Sequence, residues 1–253
     1  MPYKTPSKET CIALRDQLRD ARANAVKDAE AYDELLFAIE RTGCVLTGEV
    51  STLGGKYKGA ITNFIADFAK FESSEKCRDC HIPHSQLFDM VTEARNDALH
   101  QGAFARHLVN HAAQLAIALE DALSSHAVVI SDLMVRNPIC AQTWQPISFI
   151  RQQMLANSFS YLPVLRDGKW FLVSDLSIAT YLRAKTNERK QRLAHTLLDA
   201  IESGGLQLLG AICFQADADI DQVIKTFDGH PVLVCHRNDH EELIGILTAF
   251  DIL

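Results

Sequence analysis

The sequence predicts an α+β chain in two parts, an all-α helical bundle over residues 1–125 and a β-α-β-β-α repeat pair over residues 126–253. Two patterns carry this. Apolar residues recur every three or four positions through the first half, the period of a helix face. From about Val128, short runs of Val, Ile and Leu alternate with helical stretches, the pattern of βα units. A chain of 253 residues with 47% apolar content is long enough for two domains with separate cores.

Thr5-Pro6 reads as the N-cap and first helical position of one long amphipathic helix that ends near Gly43. Its buried side carries Leu14, Leu18, Ala21, Ala25, Ala29, Tyr32, Leu36 and Ile39. A Gly-rich stretch over 48–55 separates it from a helix lined by Tyr57, Ile61, Phe64, Ile65 and Phe68. A third helix runs from about Gln86 to Gln101. A fourth follows Gly102, with Leu108, Ala112, Leu115, Leu119 and Leu123 as its stripe. Four helices with short connections predict a bundle, and the boundary falls near Ser124-Ser125-His126.

The second half contains an internal repeat of about seventy residues, over roughly 128–183 and 205–253. Its first copy has a helix around Ile147 to Ala156, the run Leu162-Pro163-Val164-Leu165, the turn Arg166-Asp167-Gly168-Lys169 and a second run, Trp170-Phe171-Leu172-Val173, closing on Ser174. Its second copy has a helix around Ile220 to Phe227, then His230-Pro231-Val232-Leu233-Val234, the polar turn Arg237-Asn238-Asp239-His240, and Leu243-Ile244-Gly245-Ile246-Leu247 closing on Thr248.

The Pro-Val strand after each helix, the polar hairpin turn and the closing strand before a helix start resemble the tandem CBS domain. Asp132-Leu133-Met134 with Asn137-Pro138-Ile139 is similar to the lead-in of a first CBS repeat. The resemblance implies a two-fold sandwich with ligand clefts between the repeats and a regulatory adenine or cyclic nucleotide as ligand. In such pairs a hydroxyl followed closely by Asp grips phosphate and ribose, and Thr248 with Asp251 fits. The first repeat keeps Ser174 but has Ser177 where the acid would stand. Backbone around Ile139 to Ala141 and at Pro231-Val232 would flank the base. Helix physics alone makes Thr248 an N-cap and Asp251 a first-turn acid.

Arg95-Asn96-Asp97-Ala98-Leu99-His100, late in the helical half, resembles the motif of HEPN domains, helical bundles that include metal-independent ribonucleases. Cleaving RNA through its own 2′-hydroxyl needs a group that moves protons near neutral pH, which a His supplies. It also needs a fixed positive charge at the transition state, which an Arg supplies. Five residues rotate a helix by about 140°, so Arg95 and His100 of one chain diverge, while Asn96 and His100 share a face. The resemblance implies a homodimer that brings two motifs, each with Arg95, Asn96 and His100, into one cleft. The ordinary alternative is an Arg that caps carbonyls or pairs with Glu93 or Asp97. His107 and His111 read as a solvated face opposite the Leu stripe.

Cys77-x-x-Cys80-His81-x-x-His84 has ligand types and spacing suited to zinc, and also contains a c-type haem attachment string; loop thiols are the default expectation, with no metal and no catalytic cofactor. Seven scattered cysteines fit a reducing compartment. The N-terminus is polar and no apolar run spans a bilayer, which predicts a cytoplasmic chain without membrane contact. A net charge of -7 argues against broad capture of nucleic acid and confines any RNA contact to a local cleft.

Together these features predict a nucleotide-regulated, metal-independent RNA endonuclease acting as a homodimer, with an antitoxin-like partner as a further expectation. The alternative is a nonenzymatic nucleotide sensor whose helical domain serves dimerisation or partner docking.

Overall fold

The computed structural model describes residues 3–69, 82–98 and 105–252, with backbone alone for residues 96–98 and 105. It divides into two units, Met1–Ala127 and Val128–Leu253.

The first unit is helical. Helix α1 (Lys8–Lys27) starts after Ser7, whose Oγ accepts the Thr10 N–H at 3.3 Å, two residues later than Thr5. It stops at Asp28, whose φ of -135° and ψ of 106° leave the helix. The Asp28 carboxylate then accepts the Glu30 N–H at 3.0 Å and caps a 3-10 turn, Ala29–Ala31. Helix α2 (Tyr32–Thr47) follows, so the single helix expected from the periodicity is two. The physical reason is local: the short Asp side chain offers the backbone a capping alternative to the ladder, while the apolar spacing continues across the break.

Gly43 does not end α2. It lies buried inside the helix, where a Cβ would stand 2.5 Å from the Tyr57 ring, so the close approach of the next helix demands glycine. The helix ends at Gly48, whose φ of 72° is the left-handed C-terminal conformation. Helices α3 (Tyr57–Phe68), α4 (His84–Ala98) and α5 (Ala105–Ser124) make five helices among the described residues, where four were expected. Their core, around Leu18, Leu35, Ile39, Phe64 and Leu115, is fully buried. Arg22 of α1 donates to both carboxylate oxygens of Glu120 on α5, at 2.7 and 2.8 Å. No helix among the described residues is long and apolar enough to cross a membrane.

The second unit is built from the repeat. After a 3-10 turn, Ile130–Asp132, come β1 (Val135–Arg136), α6 (Ile147–Asn157), β2 (Tyr161–Arg166), β3 (Lys169–Ser174) and α7 (Asp175–Tyr181). Helices α8 (Thr186–Ala194) and α9 (Leu197–Glu202) follow, in a stretch where the sequence periodicity predicted no element. Next are β4 (Leu209–Gly210), β5 (Ile212–Gln215), α10 (Ile220–Thr226), β6 (Val232–His236), β7 (Asp239–Leu247) and α11 (Ala249–Ile252).

The two hairpins anchor two sheets, in the orders β1-β7-β6-β5 and β2-β3-β4. The repeats are interlocked. Each lends a short entering strand to the other's hairpin, β1 antiparallel to β7 and β4 antiparallel to β3. Strand β5 runs parallel to β6, and its first-repeat counterpart survives as a single parallel bridge between Ala141 and Val164. The β2-β3 turn places Asp167 and Gly168 at φ of 50° and 71°, the mirror-image turn that matches strand twist. Ile139-Cys140 recurs as Ile212-Cys213 at the same point of each repeat.

Candidate ligand cleft

In the second unit a cavity of about 420 Å³ opens between the two repeats. One wall is the lead-in, with Pro138 and Ile139. The chain after α6, turned by Ser158 at φ 56°, contributes Phe159 and, at the start of β2, Tyr161. Pro231 enters from the start of β6, and the β7-α11 junction closes the end with Thr248, Phe250 and Asp251.

The junction is tightly ordered. The Asp251 Oδ2 accepts the Thr248 N–H at 2.7 Å and the Thr248 hydroxyl at 2.8 Å. Asp251, the acid in the first turn of α11, thus holds both the N–H and the hydroxyl of Thr248 ahead of the helix, and both residues line the cavity. In the first repeat the Ser174 Oγ accepts the Ser177 N–H at 3.0 Å and pairs with the Ser177 hydroxyl at 2.8 Å. There the hydroxyl before the helix accepts a backbone N–H, whereas the Thr248 hydroxyl donates to a carboxylate.

Of the residues the sequence nominated for nucleotide contact, Ile139, Pro231, Thr248 and Asp251 meet at this cavity. Ala141 and Val232 are buried in the sheets, and Ser174 caps α7. The sequence reading missed Phe159, Tyr161 and Phe250. Phe250 lines the cavity while 86% exposed. A Phe directly after Thr248-Ala249 was the available signal. The Tyr161 hydroxyl lies 3.2 Å from His230 Nδ1, tying the two repeats beside the opening. Among the described residues no Lys or Arg lines the cavity, and Asp251 is the one charged residue in its lining. Burial pushes the Cys140 thiol, next to Ile139, above its ordinary range.

In the helical unit, Arg95 stands in the last turn of α4 with Nη1 3.6 Å from Glu40 Oε1 on α2. That same oxygen accepts the Leu53 N–H at 2.9 Å. A carboxylate facing Arg95 thus comes from another helix; the sequence pointed to Glu93 or Asp97, and the Asp97 side chain lies outside the described residues. Asn96 belongs to α4, and His100 lies outside the described residues.

His107 is exposed, but His111 is buried at 7% exposure, so the expected solvated histidine face holds for the first alone. The two rings meet edge to face at 4.3 Å, and the buried His111 Nδ1 has no hydrogen-bond partner among the described residues. Burial, followed by the neighbouring His107, lowers the His111 pKa. Helix α5 places both residues one turn apart, and the side that turns inward takes His111 with it.

Cys77, Cys80 and His81 lie outside the described residues, and His84 is buried at the start of α4. Among the described residues no three His, Cys, Asp or Glu side chains are grouped to hold a metal ion.

This arrangement defines a class: a two-repeat α/β module with interlocked sheets and a cavity bordered by a hydroxyl-acid pair. Residues 210–253 match the family model described as the CBS domain. Among solved structures, the chain is similar to a CBS domain-containing protein from Bacillus anthracis, at 16% identity over 49% of this chain and 88% of that one, with a TM-score of 0.41. It is similar to a CBS-domain containing protein from Agrobacterium tumefaciens, at 15% identity over 50% of this chain and 91% of that one, with a TM-score of 0.38. It is also similar to CBSX2 in complex with AMP, at 16% identity over 50% of this chain and 93% of that one, with a TM-score of 0.36. No curated protein matches the chain.

Proposed function

We propose that the chain is a nucleotide sensor whose C-terminal cleft takes an adenine nucleoside or nucleotide, held chiefly by base and ribose. The observation that carries this is the convergence of Ile139, Phe159, Pro231, Phe250 and the Thr248-Asp251 pair on one cavity of about 420 Å³. Apolar and aromatic walls suit a purine face, and a carboxylate fixed by Thr248 suits ribose hydroxyls, which donate to it. With no Lys or Arg in the lining, phosphates gain no ion pair there and face solvent. The helical unit is then the part whose activity or docking the ligand regulates. Such regulation requires the ligand to bind two states of the protein with different affinity.

The test is thermal unfolding with adenosine, AMP, ATP, a cyclic adenine nucleotide and GMP. An adenine ligand at a hundred times its Kd raises stability by about 2.7 kcal/mol. A shift with GMP alone, or with none of these compounds, overturns the reading.

A metal-independent endoribonuclease in the helical unit is the second reading. It rests on the Arg95 to His100 motif, and one observation favours it: Arg95 is partly exposed in the last turn of α4 and oriented by Glu40. The composite site would require a homodimer.

A further inference from the structure

The densest positive charge in the chain lies away from the cleft. Residues 183–192 carry Arg183, Lys185, Arg189, Lys190 and Arg192, five of the 25 Lys and Arg residues, against the single acid Glu188. These residues surround α8, which buries none of its side chains and links the two repeats. Two of them have structural work. Arg189 donates to the Leu182 carbonyl at 3.1 Å and the Ala184 carbonyl at 3.3 Å. Arg192 donates to the Tyr181 carbonyl, pairs with Glu188 and lies over the Tyr181 ring at 5.3 Å. Together they close the carbonyl end of α7 and occupy the one nearby carboxylate.

Arg151 on α6 and Arg183 after α7 are left exposed, with no carboxylate partner among the described residues. Arg151, Arg183 and Arg189 border one concavity of about 470 Å³ whose floor is Ala179, Leu182 and Leu193. Arg151 and Arg183 bring positive charge without a carboxylate partner to the rim of a shallow pocket, and an anion would neutralise it. Guanidinium forks match phosphate oxygens in pairs, and an apolar floor accepts the flat or hydrocarbon part of the molecule that carries the phosphate.

We propose that the Arg151-Arg183-Arg189 pocket between α6, α7 and α8 is a phosphate-binding site, distinct from the cleft that closes on Thr248 and Asp251. Its ligand carries a run of phosphate groups, because Lys185 and Lys190 extend the charge along α8 beyond the pocket. Such a run comes either from a free polyphosphate or nucleotide tail, or from a single nucleic-acid strand. In a chain of net charge -7, this is the local positive surface that nucleic acid would need.

The experiment uses the full chain, a labelled short single-stranded RNA followed by anisotropy, and inorganic tripolyphosphate followed by calorimetry. At least one probe binds saturably, and the double variant Arg151→Gln/Arg183→Gln weakens it by roughly tenfold to a hundredfold, since each lost charge-assisted bond is worth about a factor of ten. For RNA the salt slope also falls by about 1.4, the loss of two phosphate contacts on a single strand. Tripolyphosphate that binds and displaces RNA assigns a polyphosphate ligand; RNA binding alone assigns a strand. Lys225→Gln, on α10, leaves either affinity unchanged. Both replaced arginines are exposed, so the fold persists, and an unchanged circular dichroism spectrum verifies it. Absence of binding by both probes, or equal binding by wild type and double variant, overturns the proposal.

Discussion

The carboxylate of Asp251 accepts both the backbone N–H and the hydroxyl of Thr248, at 2.7 and 2.8 Å. This sets an acidic side chain at a cavity whose lining, among the described residues, includes no Lys or Arg. The pair bridges the end of β7 and the first turn of α11 and borders the candidate cleft. Asp251→Asn keeps the side chain's shape and removes the charge. It is expected to weaken adenosine binding by tenfold or more, the loss of a charged acceptor worth about 1.5–3 kcal/mol. Thr248→Val frees the carboxylate to reorient and weakens binding in the same direction. Calorimetry on both variants measures this, and unchanged affinity in Asp251→Asn removes the residue from the site.

Gly43 faces the Tyr57 ring so closely that a methyl group would stand 2.5 Å from it. Gly43→Ala would stabilise an ordinary helix interior, but here it forces α2 and α3 apart and costs about 1–3 kcal/mol. Denaturant titration measures the cost. Adding Tyr57→Ala to Gly43→Ala removes the clash, so the double variant loses less than the sum of the two.

Arg22 and Glu120 join α1 to α5 through two hydrogen bonds, and the Glu120 side chain is 9% exposed. Arg22→Met leaves that carboxylate buried without its partner and is expected to cost about 1–3 kcal/mol. The double replacement Arg22→Met/Glu120→Leu recovers most of this, because no buried charge remains. A double-mutant cycle by chemical unfolding reads the difference.

The His111 pKa is lowered in the folded protein, so the folded state favours the neutral ring. Below the ordinary His pKa of about 6.5 the unfolded chain takes up the proton more readily, and stability falls as pH falls through that range. Above it the group contributes no pH dependence. Thermal unfolding between about pH 5 and 8 measures the slope. His111→Phe flattens it; an unchanged slope in that variant assigns the acid sensitivity elsewhere.

The ribonuclease reading makes its own forecast. RNA incubated with the protein in chelator is cleaved, and Arg95→Ala and His100→Ala each abolish cleavage. Arg95→Ala also removes the cross-helix contact to Glu40, so folding is verified alongside by circular dichroism. Cleavage that persists in both variants, or its absence from the wild type under every nucleotide condition, ends this reading.

Much of the C-terminal unit was legible because its signals are local. Each Pro-Val strand, polar turn and closing strand is set by neighbours in sequence, and the same junction appears twice, at Ser174 and Thr248. Ile139 and Thr248 could be paired in advance because the family resemblance brought them together. Phe159 could not, because a lone aromatic carries no mark of lining a cavity with residues far along the chain, whereas Phe250 follows Thr248-Ala249 directly. Helix α8 escaped because it buries no side chain and so leaves no apolar stripe, and α9 because its six residues, with Leu197 and Ala200 buried, are too few to show a period. In the helical unit the apolar period reads straight through Asp28, since a 3-10 turn keeps the buried side in register while the helix breaks. The contact from Arg95 to Glu40 crosses two helices, which spacing along one helix does not foretell.

The most direct test of the central claim compares adenosine with ATP by calorimetry on the full chain. The cleft as described binds both through base and ribose, so their affinities agree within a few-fold, and Asp251→Asn weakens both. Failure of adenosine to bind, or ATP binding that survives Asp251→Asn unchanged, would contradict the assignment of this cleft.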